Sequence, residues 1–197
     1  RSINDPDFTA KVTARKERTS FAYLTAHDEN SPIIMPFEEG SAIFLGGKST
    51  SNIMRARQTF GENSHAGILV TDRRFEGGGS GSVLSFDGAV HLSQKYKFEW
   101  QTMATHTAEP DDSTITFDED DPDFHYSTFD DGKYTAGFNG ESFWGNAYYF
   151  GVNRETRNSF VDLSYLERSP TYRTANGFQA KNDQRSARLY SQYVFRF

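Results

Sequence analysis

The residues best suited to metal chemistry are the carboxylates gathered in FDEDDPDF, residues 117–124. Hard cations such as calcium take oxygen ligands, so Asp118, Asp120, Asp121 and Asp123 are the metal-ligating candidates. The segment lacks the central glycine and distal glutamate of a helix–loop–helix calcium site. Its simplest interpretation is a solvated loop, with a surface calcium site as the alternative.

Other groupings that could do chemistry are weaker. The segment AIFLGGKS, residues 42–49, loosely fits a phosphate-binding loop, but Ile43, Phe44 and Leu45 stand where backbone amides should wrap a phosphate. The five histidines have no metal-ligand spacing, and there is no Gly-x-Ser-x-Gly turn and no cysteine. We therefore predict no catalytic residues, no enzymatic activity and no cofactor for this segment.

The composition points to β-structure. The 197 residues include 18 Phe and 10 Tyr, and aromatic residues favour strands. A net charge of −6 disfavours nucleic acid, which binds basic surfaces. A mean hydropathy of −0.71, with no apolar run near the ~20 residues of a membrane helix, excludes helical spans only. A transmembrane β-barrel alternates apolar and polar residues, so its average hydropathy stays low.

Apolar and polar residues alternate with a period of two along most of the chain, which predicts nine strands. They cover residues 8–15, 20–28, 50–59, 65–73, 82–92, 97–107, 134–152, 159–168 and a last strand through 187–197. Short connections alternate with long ones, including an acidic loop at about 108–132. Up-and-down strands with short turns at one rim and long loops at the other produce this pattern.

The predicted fold is an all-β, antiparallel, up-and-down transmembrane β-barrel. Nine strands form an odd number and leave exposed edges, which need a partner. Residues 1–197 are therefore interpreted as one segment of a larger barrel, a partial barrel completed by further strands or chains.

The faces of these strands allow two interpretations, because a soluble barrel packs its apolar face inside whereas a membrane barrel turns it to lipid. Small residues such as Ala10 and Ala56 on the apolar face, and aromatic residues near strand ends, favour the membrane. The lipid-facing candidates are Leu24, Phe86, Phe98, Trp100, Phe150, Leu189, Tyr193 and Phe195. The alternative is a soluble β-sandwich or barrel that binds a glycan through Trp100, Trp144 and Tyr148.

Charged residues on the opposite face would project into the lumen of a membrane barrel and influence which solutes pass. The pore-lining candidates are Lys11, Arg15, Arg55, Arg57, Lys97, Glu99, Lys133, Glu141, Arg188 and Arg196. The other interpretation of the same residues is a set of salt bridges that stiffen the wall. The residue pattern leaves both open.

Several segments carry a family resemblance: DPDFTAKVTARKERTSFAYLTAHDE, NIMRARQTFGENSHAGILVTDRR, VLSFDGAVHL, DGKYTAGF and GFQAKNDQR. With them the chain resembles the barrel region of a family of Gram-negative outer-membrane proteins of unknown function. Members of that family carry an N-terminal module similar to carbohydrate-binding family 9, which has no counterpart here. The resemblance implies a porin-like barrel in the bacterial outer membrane, in contact with the lipid bilayer. At that surface, divalent cations would bridge the acidic loop to lipopolysaccharide phosphates.

The chain ends in SARLYSQYVFRF, an aromatic strand that finishes on Phe197. Such an ending looks like the C-terminal signal of outer-membrane barrels. In the family, however, the segment that matches GFQAKND is followed by more barrel. The resemblance therefore leaves open whether Phe197 is a true terminus.

Overall fold

The computed structural model describes residues 6–117 and 121–195, and this part of the chain is built from β-strands joined by turns and loops. The strands are β1 (Pro6–Lys16), β2 (Thr19–Asp28), β3 (Pro32–Pro36), β4 (Ser41–Leu45), β5 (Ser49–Phe60), β6 (Ser64–Phe75), β7 (Ser80–His91), β8 (Tyr96–Ala108), β9 (Thr128–Phe129), β10 (Tyr134–Thr135), β11 (Ser142–Glu155), β12 (Ser159–Arg168) and β13 (Gln184–Tyr193). Two short 3-10 helices, Ser113–Thr116 and Phe124–Tyr126, interrupt the connection between β8 and β9.

Nine long strands form one antiparallel sheet in the order β1-β2-β5-β6-β7-β8-β11-β12-β13. Each strand therefore lies beside its nearest long neighbour in the chain, and the prediction of nine up-and-down strands is confirmed. The sheet does not close into a barrel within the described residues, because β1 pairs only with β2 and β13 only with β12. Both outer strands leave an edge of backbone groups without a strand partner.

The connections at the two ends of the sheet differ in length. At the turn end, residues 17–18, 61–63, 92–95 and 156–158 make tight turns, and Gly61 adopts φ 58°, which glycine tolerates best. At the loop end lie the connections 29–48, 109–141 and 169–183. The fourth connection there, 76–79, is short, so the predicted alternation holds with one exception.

The long loops have a small apolar centre of their own. Met35, Ala136 and Phe138 are almost fully buried together, with Ile33 and Phe44 packed against them. The rings of Phe44 and Phe138 meet edge to face at 5.5 Å. We call the β3–β4 hairpin together with residues 109–117 and 121–141 the loop cap.

The structure corrects the predicted seventh strand. The alternation from residue 134 onward does not belong to one strand, because β11 begins only at Ser142. Residues Tyr134–Thr135 pair with β9 as a separate short strand, and Ala136 and Phe138 belong to the apolar centre of the loop cap. The β3–β4 hairpin was also not predicted, because 29–48 was interpreted as a loop.

The last strand is shorter than the sequence pattern indicates. It ends at Tyr193, and the Val194 amide donates to the Asn158 carbonyl at 2.8 Å. Phe195 follows the strand and is exposed. The predicted contributions of Arg196 and Phe197 lie outside the described residues.

Candidate functional site

The pairing register defines two faces of the nine-stranded sheet, because residues directly opposite on neighbouring strands project to the same side. Phe86 lies opposite Ile68 and Thr102, whereas Asp87 lies opposite Gly67 and Gln101. We call the side of Phe86 the apolar face and the side of Asp87 the polar face. Large residues of the apolar face are Phe8, Val12, Phe21, Tyr23, Met54, Ile68, Val70, Leu84, Phe86, Phe98, Trp100, Trp144, Tyr148, Phe150, Val152, Leu163, Leu189 and Tyr193.

The apolar face is largely uncovered. Trp144 and Leu189 are each 70% exposed, and Phe86 and Leu163 are exposed as well. Trp100 stacks on Phe98 at 5.6 Å between ring centroids. Its ring also lies over Gly88, where a Cβ atom would come within 2.2 Å of it. The middle of this face is therefore an apolar surface that no described part of the chain covers, and polar residues such as Asp72 and Arg185 lie on the same face nearer the loop end.

Six of the eight lipid-facing candidates share the apolar face: Phe86, Phe98, Trp100, Phe150, Leu189 and Tyr193. Phe195 lies just beyond β13, and Leu24 is on the other side of the sheet. Leu24 pairs with Lys11 and Ile53, in line with the charged residues, so its placement among the apolar-face residues was wrong. The cause is that β2 carries apolar residues on both faces, Tyr23 as well as Leu24, which leaves its orientation ambiguous in sequence.

The polar face gathers charged side chains from several strands. Lys11, Arg15, Arg55, Arg57, Lys97, Glu99 and Arg188 all project to this side. Lys133 and Glu141 do not, since they lie in the loop cap. There the Glu141 side chain accepts a hydrogen bond from the Thr135 amide at 2.9 Å, and the Lys133 ammonium lies 4.9 Å from the Tyr134 ring centroid. Arg196 lies outside the described residues.

A bidentate ion pair crosses the middle of the polar face. Arg55 on β5 reaches over Gly67 on β6 to Asp87 on β7, with Nη2 to Oδ2 at 2.6 Å. Gly67 makes this reach possible, because a Cβ there would lie 2.7 Å from Arg55 Nη2. Lys97 and Glu99 form a second ion pair on the same face. The four side chains of these two ion pairs remain partly accessible, as expected of a surface in contact with water.

Nearer the loop end, the polar face becomes buried although its residues are polar. Arg73 donates to Ser51 Oγ at 2.7 Å and to Asp28 Oδ2 at 3.3 Å, and both charged side chains are nearly inaccessible. Ser85 and Thr105 on the neighbouring strands are buried too. Burial of charges is tolerated when they are paired and hydrogen-bonded.

The connection 169–183, which we call the inner loop, lies against the polar face. A Cβ at Gly81 would meet the Ala175 side chain at 2.6 Å, and one at Gly145 would meet the Thr171 carbonyl at 2.4 Å. The Tyr172 hydroxyl contacts Met103 Sδ at 3.1 Å. Glycines on β7 and β11 thus make room for the loop backbone on the side where the charged residues project.

One arginine anchors the inner loop to the rest of the molecule. The buried Arg173 guanidinium pairs with Glu109, just after β8, and lies 4.8 Å from the ring centroids of both Phe129 and Phe143. Burial raises the pKa of Glu109 to about 7 against the opposing effect of Arg173, and it lowers the pKa of Arg173. No pattern in the sequence indicated this pair, whose members are far apart in the chain and lie in segments interpreted as loops.

The metal candidates remain without a defined site. Asp121 and Asp123 are exposed, and Asp118 and Asp120 lie outside the described residues. Within residues 6–117 and 121–195, no group of three or more potential ligands is close enough to hold a metal ion. Lys48 stands between β4 and β5 with no helix after it, so the phosphate-loop geometry is not formed. Ser49 instead shares a hydrogen bond of 2.7 Å with Ser31.

The aromatic residues considered for glycan binding, Trp100, Trp144 and Tyr148, lie on the apolar face among the other aromatics rather than in a separate groove. His106 is next to Trp144, with ring centroids 4.7 Å apart. Among the described residues, no helix has the length and apolar character needed to cross a bilayer.

These features define the chain as an all-β protein dominated by one open antiparallel sheet. Comparison with protein-family models, curated proteins and solved structures gave no match in any of the three.

Proposed function

We propose that this chain forms part of the wall of a β-barrel in the bacterial outer membrane, with the apolar face toward lipid and the polar face toward an aqueous lumen. One observation carries the proposal: one face of the sheet exposes large apolar side chains, while the other buries many polar ones, with Val83 and Phe143 buried among them. Phe86, Trp144 and Leu189 are exposed on one side of the sheet, whereas Ser85 and Thr105 are buried on the other. Membrane barrels have this arrangement, and small soluble barrels have the opposite one.

Strand length supports the same arrangement. The nine strands of the sheet have between 10 residues, as in β2, and 14 residues, as in β11. A tilted strand needs about 9–11 residues to cross the hydrocarbon core of a bilayer. The short turns at one end and the long loops at the other are also typical of outer-membrane barrels.

The open edges imply a partner for β1 and β13. In lipid, every backbone N–H and C=O group must find a hydrogen bond within protein, and only closed barrels achieve this with strands. The unpaired edges of β1 and β13 therefore require further strands, from this polypeptide or from another chain, to complete the barrel.

On the lumen side, the ion pairs Arg55–Asp87 and Lys97–Glu99 would stand in water and influence which ions or solutes can pass. The inner loop would occupy part of that lumen. The proposed role is structural or one of solute passage, without catalytic chemistry in this segment.

The loop end would face the outside of the cell, as the long loops of such barrels do. The exposed carboxylates of Asp121 and Asp123 would lie there, where calcium or another divalent cation can bridge them to lipopolysaccharide phosphates.

The two tryptophans provide a direct test, because both lie on the apolar face. Trp144 pairs with His106, six residues beyond Trp100 on β8, which separates the two rings by roughly 20 Å along the strands. Single-tryptophan proteins made with Trp144→Phe or Trp100→Phe would be refolded into vesicles that contain lipids brominated at different acyl depths. We expect lipid bromines to quench both tryptophans, with Trp100, nearer the middle of β8, quenched best by the deeper bromines.

Acrylamide, a water-soluble quencher, supplies the control. It should reach both tryptophans after unfolding in urea and neither after insertion into vesicles. Strong quenching by acrylamide together with no quenching by brominated lipid would reject the barrel. Protection of the tryptophans from acrylamide by added oligosaccharides, without lipid, would instead support the soluble glycan-binding alternative.

A further inference from the structure

A cavity of about 460 Å³ lies at the loop end, between the β3–β4 hairpin, the ends of β6, β7 and β8, and the inner loop. This volume is in the range of sites that bind small organic molecules. Most of its wall is apolar, formed by side chains that include Ile33, Ile43, Phe75, Phe138 and Phe178. An apolar ligand of modest size would find there the environment that hydrocarbon prefers over water.

The cavity also has a polar end, where Glu109, Arg173 and Asn176 form part of the wall. One atom of each is buried without a hydrogen-bond partner in the described structure: Oε2 of Glu109, Nε of Arg173 and Nδ2 of Asn176. Leaving buried polar groups unpaired is costly, so such atoms favour a ligand that can pair with them. Two of the three atoms are donors and one is an acceptor, so the polar end has more unpaired donors than unpaired acceptors.

We propose that this cavity binds a small apolar carboxylic acid, with its hydrocarbon body against the isoleucines and phenylalanines and its carboxylate at the Glu109–Arg173 end. The unpaired N–H groups of Arg173 and Asn176 are covered in this structure, and after a rotation of their side chains toward the cavity they can donate to a carboxylate oxygen. The guanidinium supplies the positive charge, and charge-assisted bonds of this kind are the strong ones. The inference concerns the cavity alone, so it holds whether or not the sheet lies in a membrane.

The charges around Glu109 give the binding a pH dependence. The charged groups that act on Glu109 are Arg173 from the inner loop and Glu141 from the loop cap, while Arg73 on the cavity wall is paired with Asp28. Burial raises the pKa of Glu109 to about 7. When Glu109 is protonated, it no longer neutralises the Arg173 guanidinium and no longer repels the ligand carboxylate. The full positive charge of Arg173 then acts on the ligand. Affinity for a carboxylate should therefore increase as the pH falls through about 7.

Phenylpropionate is a suitable probe, and phenylpropanol, which has the same ring and chain but no charge, is its control. Binding to the full chain would be measured by ligand-observed NMR both in buffer without lipid and in lipid nanodiscs, with empty nanodiscs to subtract partition into lipid. We expect phenylpropionate to bind about tenfold more tightly than phenylpropanol, a difference equivalent to one charge-assisted contact. Equal binding of the two, or no binding of phenylpropionate, would overturn the proposal.

Two variants on β4 locate the site. Ile43 lines the cavity, whereas Leu45, on the same strand and also exposed, does not. Ile43→Trp should fill the cavity and weaken phenylpropionate binding by about tenfold or more, and Leu45→Trp should leave it unchanged. Equal effects of the two would show that the probe binds elsewhere.

Glu109→Gln tests the polar end without changing its shape. The variant cannot ionise, so it should bind phenylpropionate with nearly the same affinity at about pH 6 and about pH 8, while the original chain binds more weakly at the higher pH. An unchanged pH dependence in Glu109→Gln would show that Glu109 does not contact the ligand carboxylate and would overturn the assignment of this end.

Discussion

The loop cap and the nine-stranded sheet differ in which side chains they bury. In the loop cap, Met35 and Phe138 are buried and acidic residues such as Asp121 are exposed, as in any protein that folds in water. In the sheet, the polar face buries Ser85 and Thr105 together with Phe143, while Leu189 on the apolar face is exposed. In the proposed barrel, this contrast corresponds to two surroundings, water at the loop end and hydrocarbon around the strands.

This difference predicts that the two regions will tolerate different substitutions. The apolar centre of the loop cap depends on close packing, so the size and shape of each ring matter. In the proposed barrel, the apolar face of the sheet needs only to be apolar, since lipid chains adapt to its shape. Substitutions that remove volume should therefore affect the loop cap, and substitutions that add charge should affect the sheet.

The largest effect is expected for Phe138→Ala. The ring is almost fully buried against Met35 and Phe44, and removal of such a ring costs about 3–5 kcal/mol. Hydrogen exchange of the amides in β3 and β4 would measure the loss of protection in the loop cap. Leu92→Ala, which truncates an exposed side chain at the opposite, turn end of the sheet, is the control and should change little. Similar protection in the two variants would show that the loop cap is not held together by its apolar centre.

Leu189→Arg should have the largest effect on the sheet. It places a charge on the apolar face opposite Leu163, and an arginine near the middle of a bilayer costs about 2–4 kcal/mol in a membrane barrel. Urea titration of folding into vesicles would measure this cost.

The neighbouring Arg188→Leu changes the polar face and should fold almost as well as the original chain. If Arg188→Leu were the damaging substitution and Leu189→Arg the harmless one, the assignment of the two faces would be reversed.

The contrast between the two regions also accounts for what the sequence could predict. Most strands of the sheet alternate with a period of two because they have one apolar and one polar face, so their number and order were predicted correctly even though β2 carries apolar residues on both faces. The loop cap has no such period. Ala136 and Phe138 looked like part of a strand because they alternate, although they pack among residues distant in sequence.

The Glu109–Arg173 pair shows that prediction from sequence has the same limit at the candidate site. Arg55 and Glu99 were recognised as polar-face residues from their own strands, whereas Glu109 and Arg173 were not recognised. Their contact depends on how two long loops fold back over the sheet. No local pattern in the sequence carries that information.

A smaller effect, about 1–3 kcal/mol, is expected from the titration of Glu109. Its pKa in the folded chain, about 7, lies above the ordinary value of 4.5, so the folded state binds more protons than the unfolded state between these values. The contribution of Glu109 to stability is therefore present below about pH 4.5 and is lost as the pH rises through 7.

Hydrogen exchange of the inner loop at about pH 5 and about pH 8, corrected for the intrinsic exchange rates, would measure this change in opening free energy. The matched variant Glu109→Gln should remove the pH dependence and keep the loop closed at both values. A loop equally protected at both pH values in the original chain would show that Glu109 stays ionised beside Arg173.

The smallest effect is expected from Asp87→Asn, and it tests whether the middle of the polar face is wet. This substitution breaks the pair with Arg55, whose side chain is 32% exposed. A charged pair in contact with water contributes only about 0–1 kcal/mol, whereas a partner left alone in a dry interior costs about 3–5 kcal/mol. Urea titration of folding into vesicles should therefore show a loss below about 1 kcal/mol, because lumen water solvates the remaining arginine. A loss of several kcal/mol would mean that the polar face is closed to water and does not line an aqueous lumen.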